Sequence, residues 1–170
     1  MADDQRFFFL DLTSAGVKGG STKIGHQNWL EIDSWSFSMN QAAEPNSNGG
    51  QPKSTAASGR FGFTMKHAGP QVYKLVASGS FIPGPITFNA ERGGINVPAG
   101  TGTKPTVTYL SLVFQNLAIT SRNLGGGDGQ KTENIEFTFT QVQYIYTQVL
   151  NGAPQAAITK SYNVKTNQAS

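Results

Sequence analysis

Histidine and carboxylate side chains are the groups that could carry acid–base or metal chemistry, and this 170-residue chain has two histidines and ten carboxylates. His26 lies in GHQNW and His67 in MKHAG, without a spacing that brings two histidines to one helix face around a metal ion. We interpret both as surface or turn residues. No two carboxylates are marked as the pair that glycoside hydrolysis needs, and we interpret Glu31 and Asp33, on one strand face, as solvent or interface charges. We therefore expect no catalytic residue, no metal ion and no cofactor.

Three glycine-rich strings resemble ligand-binding loops without the residue order that such loops require. VKGGSTK lacks the order GxxxxGK[ST] of a phosphate loop, and GTGTKP runs into Pro105 instead of a helix. GGGDG has the composition of a calcium-binding repeat but occurs once. We interpret all three as turns. The absence of cysteine also excludes disulfides, thiolate metal ligands and cysteine nucleophiles.

The charge pattern argues against nucleic acid as a partner. The net charge is +3, but the 13 lysines and arginines are spread along the chain instead of forming the clustered stripe that nucleic-acid binding usually needs. The start, MADDQRFFFLDLT, lacks the basic and long apolar regions of a secretory signal, and no later stretch could span a bilayer. The sequence predicts a protein that is made in the cytoplasm, without a signal peptide and without membrane insertion.

The elements that must position these residues are mostly strands. Eleven phenylalanines and 20 glycines favour β-structure with many turns. The one good helix pattern is GPQVYKLVASG, with Pro70 in its first turn, Val72, Leu75 and Val76 on one face, and Gly79 at its end. Strand-like runs cover residues 7–12, 29–39, 59–65, 81–88, 106–120, 134–146 and, less clearly, 157–164. We predict a single all-β, mainly antiparallel domain over residues 1–170, with one short α-helix.

Three segments contain few large apolar side chains that could form part of a core. Residues 40–60 contain no large apolar side chain and predict a long polar loop, of a kind used for binding or left disordered. Residues 91–105 form a glycine-rich break, and the tail 147–170 is sparse in apolar residues.

Three long strands change the face on which their apolar residues lie. Ile135, Phe137 and Phe139 alternate in step, but after Thr140 the apolar set moves by one position to Val142, Tyr144 and Tyr146. The same shift separates residues 30–32 from 35–39 and residues 110–114 from 117–119. A β-bulge could produce it, or a strand could leave one core and contribute to a second apolar surface. Because the run 135–146 would be roughly 40 Å long if straight, it must bend or reach beyond its own core.

The order and spacing of several segments resemble the haemolysin-coregulated proteins, the tube subunits of bacterial type VI secretion. The matching segments are VKGGSTKIGHQNWLEIDSWSFSMNQ, FGFTMKHAGPQVYKLVASGSFIPG, VTYLSLVFQNLAITS and KTENIEFTFTQVQYIY. Together they span roughly residues 17–146. The chain departs from the family pattern before the helix, where KHAGP replaces an acidic, serine-containing turn, and the stretch around 91–105 is longer and richer in glycine.

The resemblance implies a small antiparallel β-barrel that assembles into hexameric rings, which stack into a tube, with no enzymatic activity. The subunit itself would be exported, small effector proteins could travel in its lumen, and the sheath and spike of the apparatus would be further partners. Ser36 matches a lumen-facing serine of the family, and Ser34 and Ser38 share its strand face. Candidate residues for ring stacking are Glu44, Asn46, Asn48 and Lys53, and candidate residues for the subunit interface are Val142, Tyr144 and Tyr146.

Two alternative functions stay open at the level of sequence. A tube protein of a phage tail or of another contractile injection system has the same requirements. A carbohydrate-binding β-sandwich could use Trp29, Tyr144 or Tyr146 to stack on sugar rings.

Overall fold

The structure is a computed structural model, and it describes most of the chain in several ranges. These are residues 5–44, 53–65, 69–93, 106–127, 130–150, 153–164, 166 and 168–170.

Within these residues the chain forms twelve strands, a turn of 3-10 helix (Thr13–Ala15) and one α-helix. The elements are β1 (Arg6–Asp11), β2 (Leu30–Ile32), β3 (Ser34–Glu44), β4 (Lys53–Met65), α1 (Gly69–Ser78), β5 (Phe81–Ile82), β6 (Ile86–Gly93), β7 (Thr106–Gln115), β8 (Leu117–Gly127), β9 (Gln130–Phe139), β10 (Gln141–Leu150), β11 (Ala153–Asn163) and β12 (Gln168–Ala169).

The strands form two antiparallel sheets around one core. The larger sheet has the order β12-β11-β10-β7-β6-β1-β2 and the smaller one β3-β4-β9-β8-β5. Phe61 and Phe137 from the smaller sheet meet Phe88 and Phe114 from the larger one, all four fully buried. The ring centroid of Phe61 lies 5.0 to 5.2 Å from those of the other three, within the range of favourable aromatic contacts. This confirms the predicted all-β fold with one short helix.

The changes of apolar face mark the places where the chain crosses from one sheet to the other. Strand β2 lies in the larger sheet and β3 in the smaller one, and a single residue, Asp33, separates them. Asn116 separates β7 from β8 in the same way, and Thr140 separates β9 from β10. Apolar residues three positions apart face the same core across each corner, as the buried pairs Phe114–Leu117 and Phe139–Val142 show. The shift therefore keeps the chain in contact with one core while it turns, as expected where strands switch sheets.

Two of these corners are joined to each other. The Asn116 side chain donates a hydrogen bond from Nδ2 to Thr140 Oγ1 at 3.1 Å, and the Thr140 amide donates to the Gln115 carbonyl at 3.2 Å. Asn116 has a φ of 51°, a left-handed conformation that asparagine tolerates better than most residues. The Asn116 amide also donates to the Pro83 carbonyl, in the segment where β5 leads into β6. The corners thus close one end of the barrel.

The short helix follows the predicted pattern. Val72 is fully buried, Leu75 and Val76 pack against the core, and Gly79 ends the helix with a φ of 58°. Helix α1 covers part of β8, where the Arg122 guanidinium lies 5.6 Å from the Tyr73 ring centroid. Arg122 in turn donates to the buried carboxylate of Glu133, at 3.1 Å from both Nε and Nη2.

The segment predicted as a long polar loop is strand at both of its ends. Residues 40–44 and 53–60 continue β3 and β4, with Ala42 opposite Thr55 and Glu44 opposite Lys53, so the predicted loop 40–60 is wrong at both ends. Residues 45–52 lie outside the described residues. The tail 147–170, which is sparse in apolar residues, contains the end of β10 and the eleven-residue β11, in agreement with the strand-like run predicted at 157–164. Most of the glycine-rich break 91–105 is outside the described residues. Backbone pairing extends the β3–β4 hairpin through residues that include no large apolar side chain.

Candidate functional site

A shallow groove runs across the outward face of the smaller sheet. It has a volume of about 270 Å³ and crosses β3, β4, β9 and β8 in register, with Ser34, Thr64, Asn134 and Asn123 as one row of neighbours. The other polar residues that line it are Ser36, Ser121 and Glu136, together with Gly62. The polar side chains that line the groove, among the described residues, therefore carry hydroxyl, amide or carboxylate groups.

The three predicted lumen residues lie on this face, and their side chains are exposed. Ser34, Ser36 and Ser38 alternate along β3 with Trp35 and Phe37, which pack against the core. The hydroxyls of Ser34 and Thr64 are 2.5 Å apart. A Cβ atom at Gly62 would lie 2.9 Å from Ser36 Oγ, so a side chain there would crowd the serine. Small residues on neighbouring strands keep this face flat.

The charges on the face nearly balance. Arg60 on β4 and Glu136 on β9 are exposed, and Arg60 Nη1 lies 3.4 Å from Glu136 Oε1. Such an exposed pair contributes little to stability, but it leaves the face without a strong field of either sign. A neutral surface of small hydroxyl groups contacts varied molecules weakly and offers no group poised for acid–base chemistry.

The three predicted interface residues differ in how exposed they are. Val142 is buried in the core of its own chain, so we leave it out of the interface. Tyr144 and Tyr146 each keep 41% of their surface exposed. They share a face of the β10–β11 hairpin with Ile158, which stands opposite Tyr146 and is also exposed. We call Tyr144, Tyr146 and Ile158 the aromatic shelf.

The predicted stacking residues lie at the end of the β3–β4 hairpin. Glu44 and Lys53 are the last described pair of residues in it. Asn46 and Asn48 lie outside the described residues. From Asn40 outward, no third strand pairs with the hairpin among the described residues, because the pairing of β4 with β9 ends at Gly59 and Phe139.

A buried polar cluster on the outer face of the larger sheet was not predicted. His26 lies among turns, one of the two predicted settings, but it is buried and not at the surface. Its ring stacks on Phe9 at 4.6 Å between centroids. His26 Nε2 lies 3.3 Å from Glu91 Oε1, and the Lys23 ammonium pairs with the other carboxylate oxygen of Glu91. The cluster holds the segment 17–29 against β1 and β6. His67 lies outside the described residues.

Burial and charge shift the pKa values of this cluster. Burial lowers the pKa of His26, the carboxylate of Glu91 partly opposes that shift, and the charge of Lys23 adds to it. Burial alone would raise the pKa of Glu91, but hydrogen bonds from Lys23 and Thr106 and the nearby positive charges outweigh it and lower the pKa. The ion pair of Lys23 and Glu91 with a neutral His26 is therefore the arrangement near neutral pH. Because Glu91 is already engaged, we assign the cluster a structural role.

The described residues contain no group of three or more histidine, cysteine or acidic side chains that could hold a metal ion. Within the same residues, no helix is long and apolar enough to cross a bilayer.

Several solved structures have a fold similar to this two-sheet barrel. Hcp1 of Salmonella typhimurium matches with a TM-score of 0.72 and 24% identity, covering 96% of this chain and 98% of that one. A structure described as a type six secretion system protein has a TM-score of 0.71 and 18% identity, covering 98% and 99% of the two chains. A type VI secretion system effector from Yersinia pestis has a TM-score of 0.64 and 22% identity, covering 94% and 100%. These likenesses establish the fold.

The family follows from the sequence itself. Residues 9–146, well over half of the chain, match the family model for the type VI secretion system effector Hcp. The chain belongs to this family of structural tube proteins, which are not enzymes. It is thus a tube protein of type VI secretion. No curated protein matches the sequence.

Proposed function

We propose that this protein assembles into hexameric rings whose inner wall is the outward face of the smaller sheet, and that the rings stack into a secretion tube. The observation that carries this proposal is the serine-lined face, together with the edge strand β3 beside it, which pairs only with β4 among the described residues. Ser34, Ser36 and Ser38 give a wall of small, nearly neutral groups. A channel for varied cargo needs such a wall, because tight binding would hold the cargo in place.

Strand β3 provides the first part of the ring contact. It is eleven residues long and forms the edge of the smaller sheet, and among the described residues only β4 pairs with it. A long open edge is a ready template for another strand. In a ring, the edge of a neighbouring copy would cover β3 and continue the inner wall from one subunit to the next.

The aromatic shelf provides the second part. Tyr144 and Tyr146 combine large apolar surface with a polar tip, which suits subunit interfaces. Their face of β10 also bears Val142 of the core, so the shelf is an uncovered continuation of the core-facing side of the larger sheet. A neighbouring copy that packs there would complete the layer.

The outer half of the β3–β4 hairpin is suited to stacking. A two-stranded hairpin on its own is marginally stable in water, so the pairs from Ala42–Thr55 to Glu44–Lys53 gain from contact with another ring. Each contact would be polar and weak, with six copies acting together. Assembly of this kind, head to tail without closure, gives a filament.

Export and cargo transport complete the proposal. The protein would be made in the cytoplasm and leave through the secretion apparatus, with sheath and spike proteins as partners and small effector proteins inside the lumen. The family match supports this function over a phage-tail tube protein or a carbohydrate-binding sandwich.

The ring interface can be tested on the aromatic shelf. The double variant Tyr144→Ser/Tyr146→Ser should be a folded monomer of about 18 kDa by light scattering, whereas the unchanged chain should give rings with six times that mass. The control is Tyr73→Ser, which removes an exposed tyrosine from α1. A control variant that also loses its rings, or a double variant that keeps them, would contradict this interface.

The lumen can be located by adding bulk to it. Ser36→Trp should leave the ring mass unchanged and place new density inside the channel in averaged electron micrographs. Thr159→Trp, at an exposed position of β11, should leave the channel unchanged. New density on the outside of the Ser36→Trp ring would show that the serine face is not the inner wall.

A further inference from the structure

Strand β11 is the outer strand of the larger sheet over most of its length. One side of it pairs with β10, whereas on the other side β12 and the residue after it reach only positions 161–163. Within the described residues, no strand pairs with the outer side of 153–160, and all of these residues are exposed. Backbone groups along this stretch are therefore available to another strand.

The last residues of the chain demonstrate that this edge accepts an antiparallel strand. The amide of Ser161 donates to the carbonyl of Ser170 at 2.8 Å, and the amide of Ser170 donates to the carbonyl of Ser161 at 2.9 Å. Ala169 stands opposite Tyr162 in the same register. A strand that continued in line with Ser170 would next pass residues 160 to 157.

The register also identifies the backbone groups that face outward. In an antiparallel pair, successive residues direct their N–H and C=O groups to opposite sides of the strand. Those of Thr159 and Ala157 therefore point the same way as those of Ser161, while those of Lys160 and Ile158 point to β10. Two N–H and two C=O groups face an incoming strand.

Two features of β11 oppose pairing with the same edge of a second copy. Pro154 lacks an N–H group and interrupts the edge, and Lys160 places a charge on it. Proline and lysine both protect edge strands from association with one another. They limit the available stretch to residues 157–160 and favour a partner of different composition.

The side chains beside this stretch define that composition. Lys160 stands opposite Tyr144, and Ile158 belongs to the aromatic shelf, so both lie on one face of the hairpin. Among the described residues, no acidic side chain forms an ion pair with Lys160. A carboxylate on the incoming strand would pair with Lys160, and an apolar side chain beside Ile158 would extend the shelf.

We propose that residues 157–160 bind an extended segment of a partner protein by strand addition. The segment would run antiparallel to β11, with an acidic residue opposite Lys160 and, two positions later, an apolar residue opposite Ile158. Backbone hydrogen bonds to Thr159 and Ala157 would provide affinity, and the two side chains would provide selectivity. The proposal rests on this edge and not on ring assembly.

Hydrogen exchange with an attached segment tests the edge. Glu-Thr-Val-Thr appended after Ser170 presents the proposed sequence at high effective concentration, with its glutamate beside Lys160 and its valine beside Ile158. The amides of Thr159 and Ala157 should exchange roughly tenfold more slowly than in the unchanged chain, as measured by NMR, because hydrogen bonding protects them. Unslowed exchange would overturn the site.

Matched extensions separate the backbone contribution from the charge. Glu-Pro-Val-Pro keeps both side chains but lacks the two N–H groups that would bond to Thr159 and Ala157, so it should not slow their exchange. Equal protection by this extension would contradict strand addition. Lys-Thr-Val-Thr should protect less than Glu-Thr-Val-Thr, and equal protection would refute an acidic partner.

A free peptide tests binding of a separate molecule. Acetylated and amidated Glu-Thr-Val-Thr, added to the unchanged chain, should shift the amide signals of Thr159 and Ala157 in a saturable way, and the proline-containing peptide should not. Absence of a saturable shift would overturn the proposal. Amides that are already protected in the unchanged chain, increasingly so at higher protein concentration, would assign the edge to a second copy and overturn it as well.

Discussion

At the scale of single residues, the core leaves no room for a side chain at Gly59. A Cβ atom there would lie 2.2 Å from Cζ of Phe139, which is itself buried. The two residues are cross-strand partners on β4 and β9, so the phenylalanine ring covers the glycine. Close packing of this kind makes extra volume costly.

We expect Gly59→Ala to lower the free energy of unfolding by roughly 1–3 kcal/mol, the usual cost of overpacking a core. Chemical denaturation with urea measures the change. Gly20→Ala is the control, because a Cβ at Gly20 meets nothing within 4 Å. Equal stability of the two variants would mean that Phe139 moves aside without cost.

The cluster of Lys23, His26 and Glu91 predicts a loss of stability in acid. The pKa of His26 is lowered in the folded chain, so the unfolded chain takes up a proton first and stability falls as the pH drops below roughly 6.5. The pKa of Glu91 is also lowered in the folded chain. The stability that Glu91 contributes is therefore complete when the pH is above the ordinary pKa of a glutamate, and it is lost as the pH falls through the lowered pKa. His26→Gln should flatten the stability profile between pH 7.5 and 5.5, measured by urea denaturation. An unchanged profile would show that His26 does not titrate as inferred.

The sequence did not reveal this cluster because its members come from distant segments. Lys23 and Glu91 are 68 positions apart, and they meet because Lys23 lies over the rings of Phe7 and Phe9 on β1, which pairs with β6. A histidine in a polar, glycine-containing stretch is typical of a surface turn. Only the fold of the segment 17–29 over Phe9 buries it.

At the scale of elements, the sequence revealed the corners at which strands cross from one sheet to the other. Apolar residues three positions apart, as in Phe139 and Val142, follow from a strand that turns into the other sheet and keeps the same core. The change of face was visible in the sequence, but the partner strands were not. The extension of β3 and β4 beyond the core was hidden for a different reason. Its residues pair through the backbone outside the core, so no apolar alternation marks them.

Asn116 tests the corner between β7 and β8. Asn116→Ala should lower the free energy of unfolding by about 1–3 kcal/mol, since alanine is strained at a φ of 51° and the hydrogen bond to Thr140 is lost. Asn116→Gly loses only the hydrogen bond and should cost less, because glycine adopts positive φ readily. Urea denaturation of both variants gives the comparison. A glycine variant as unstable as the alanine variant would exclude backbone strain as the cause.

At the scale of the whole molecule, the two sheets divide the work of a tube subunit. The smaller sheet presents small polar groups on its outward face and ends in β3, which pairs only with β4 within the described part of the chain. The larger sheet extends beyond the core with Tyr144 and Tyr146, and the segment 17–29 covers Phe9 on its other face. In the proposed assembly one contact closes a ring and another repeats along an axis, so changes to the hairpin end should separate ring formation from stacking.

The last prediction uses that separation. Glu44 and Lys53 are cross-strand neighbours, so a two-residue Asn-Gly turn, which suits the twist of a hairpin, can replace residues 45–52 while β3 and β4 stay intact. We expect rings of unchanged mass by light scattering and no tubes in electron micrographs at concentrations where the unchanged chain forms them. The matched control is an eight-residue glycine-serine segment in place of 45–52. If stacking depends on the sequence of the tip, both variants lose tubes, and if length alone matters, only the short turn does. If both variants formed tubes, stacking would depend on another surface of the ring and not on the hairpin tip.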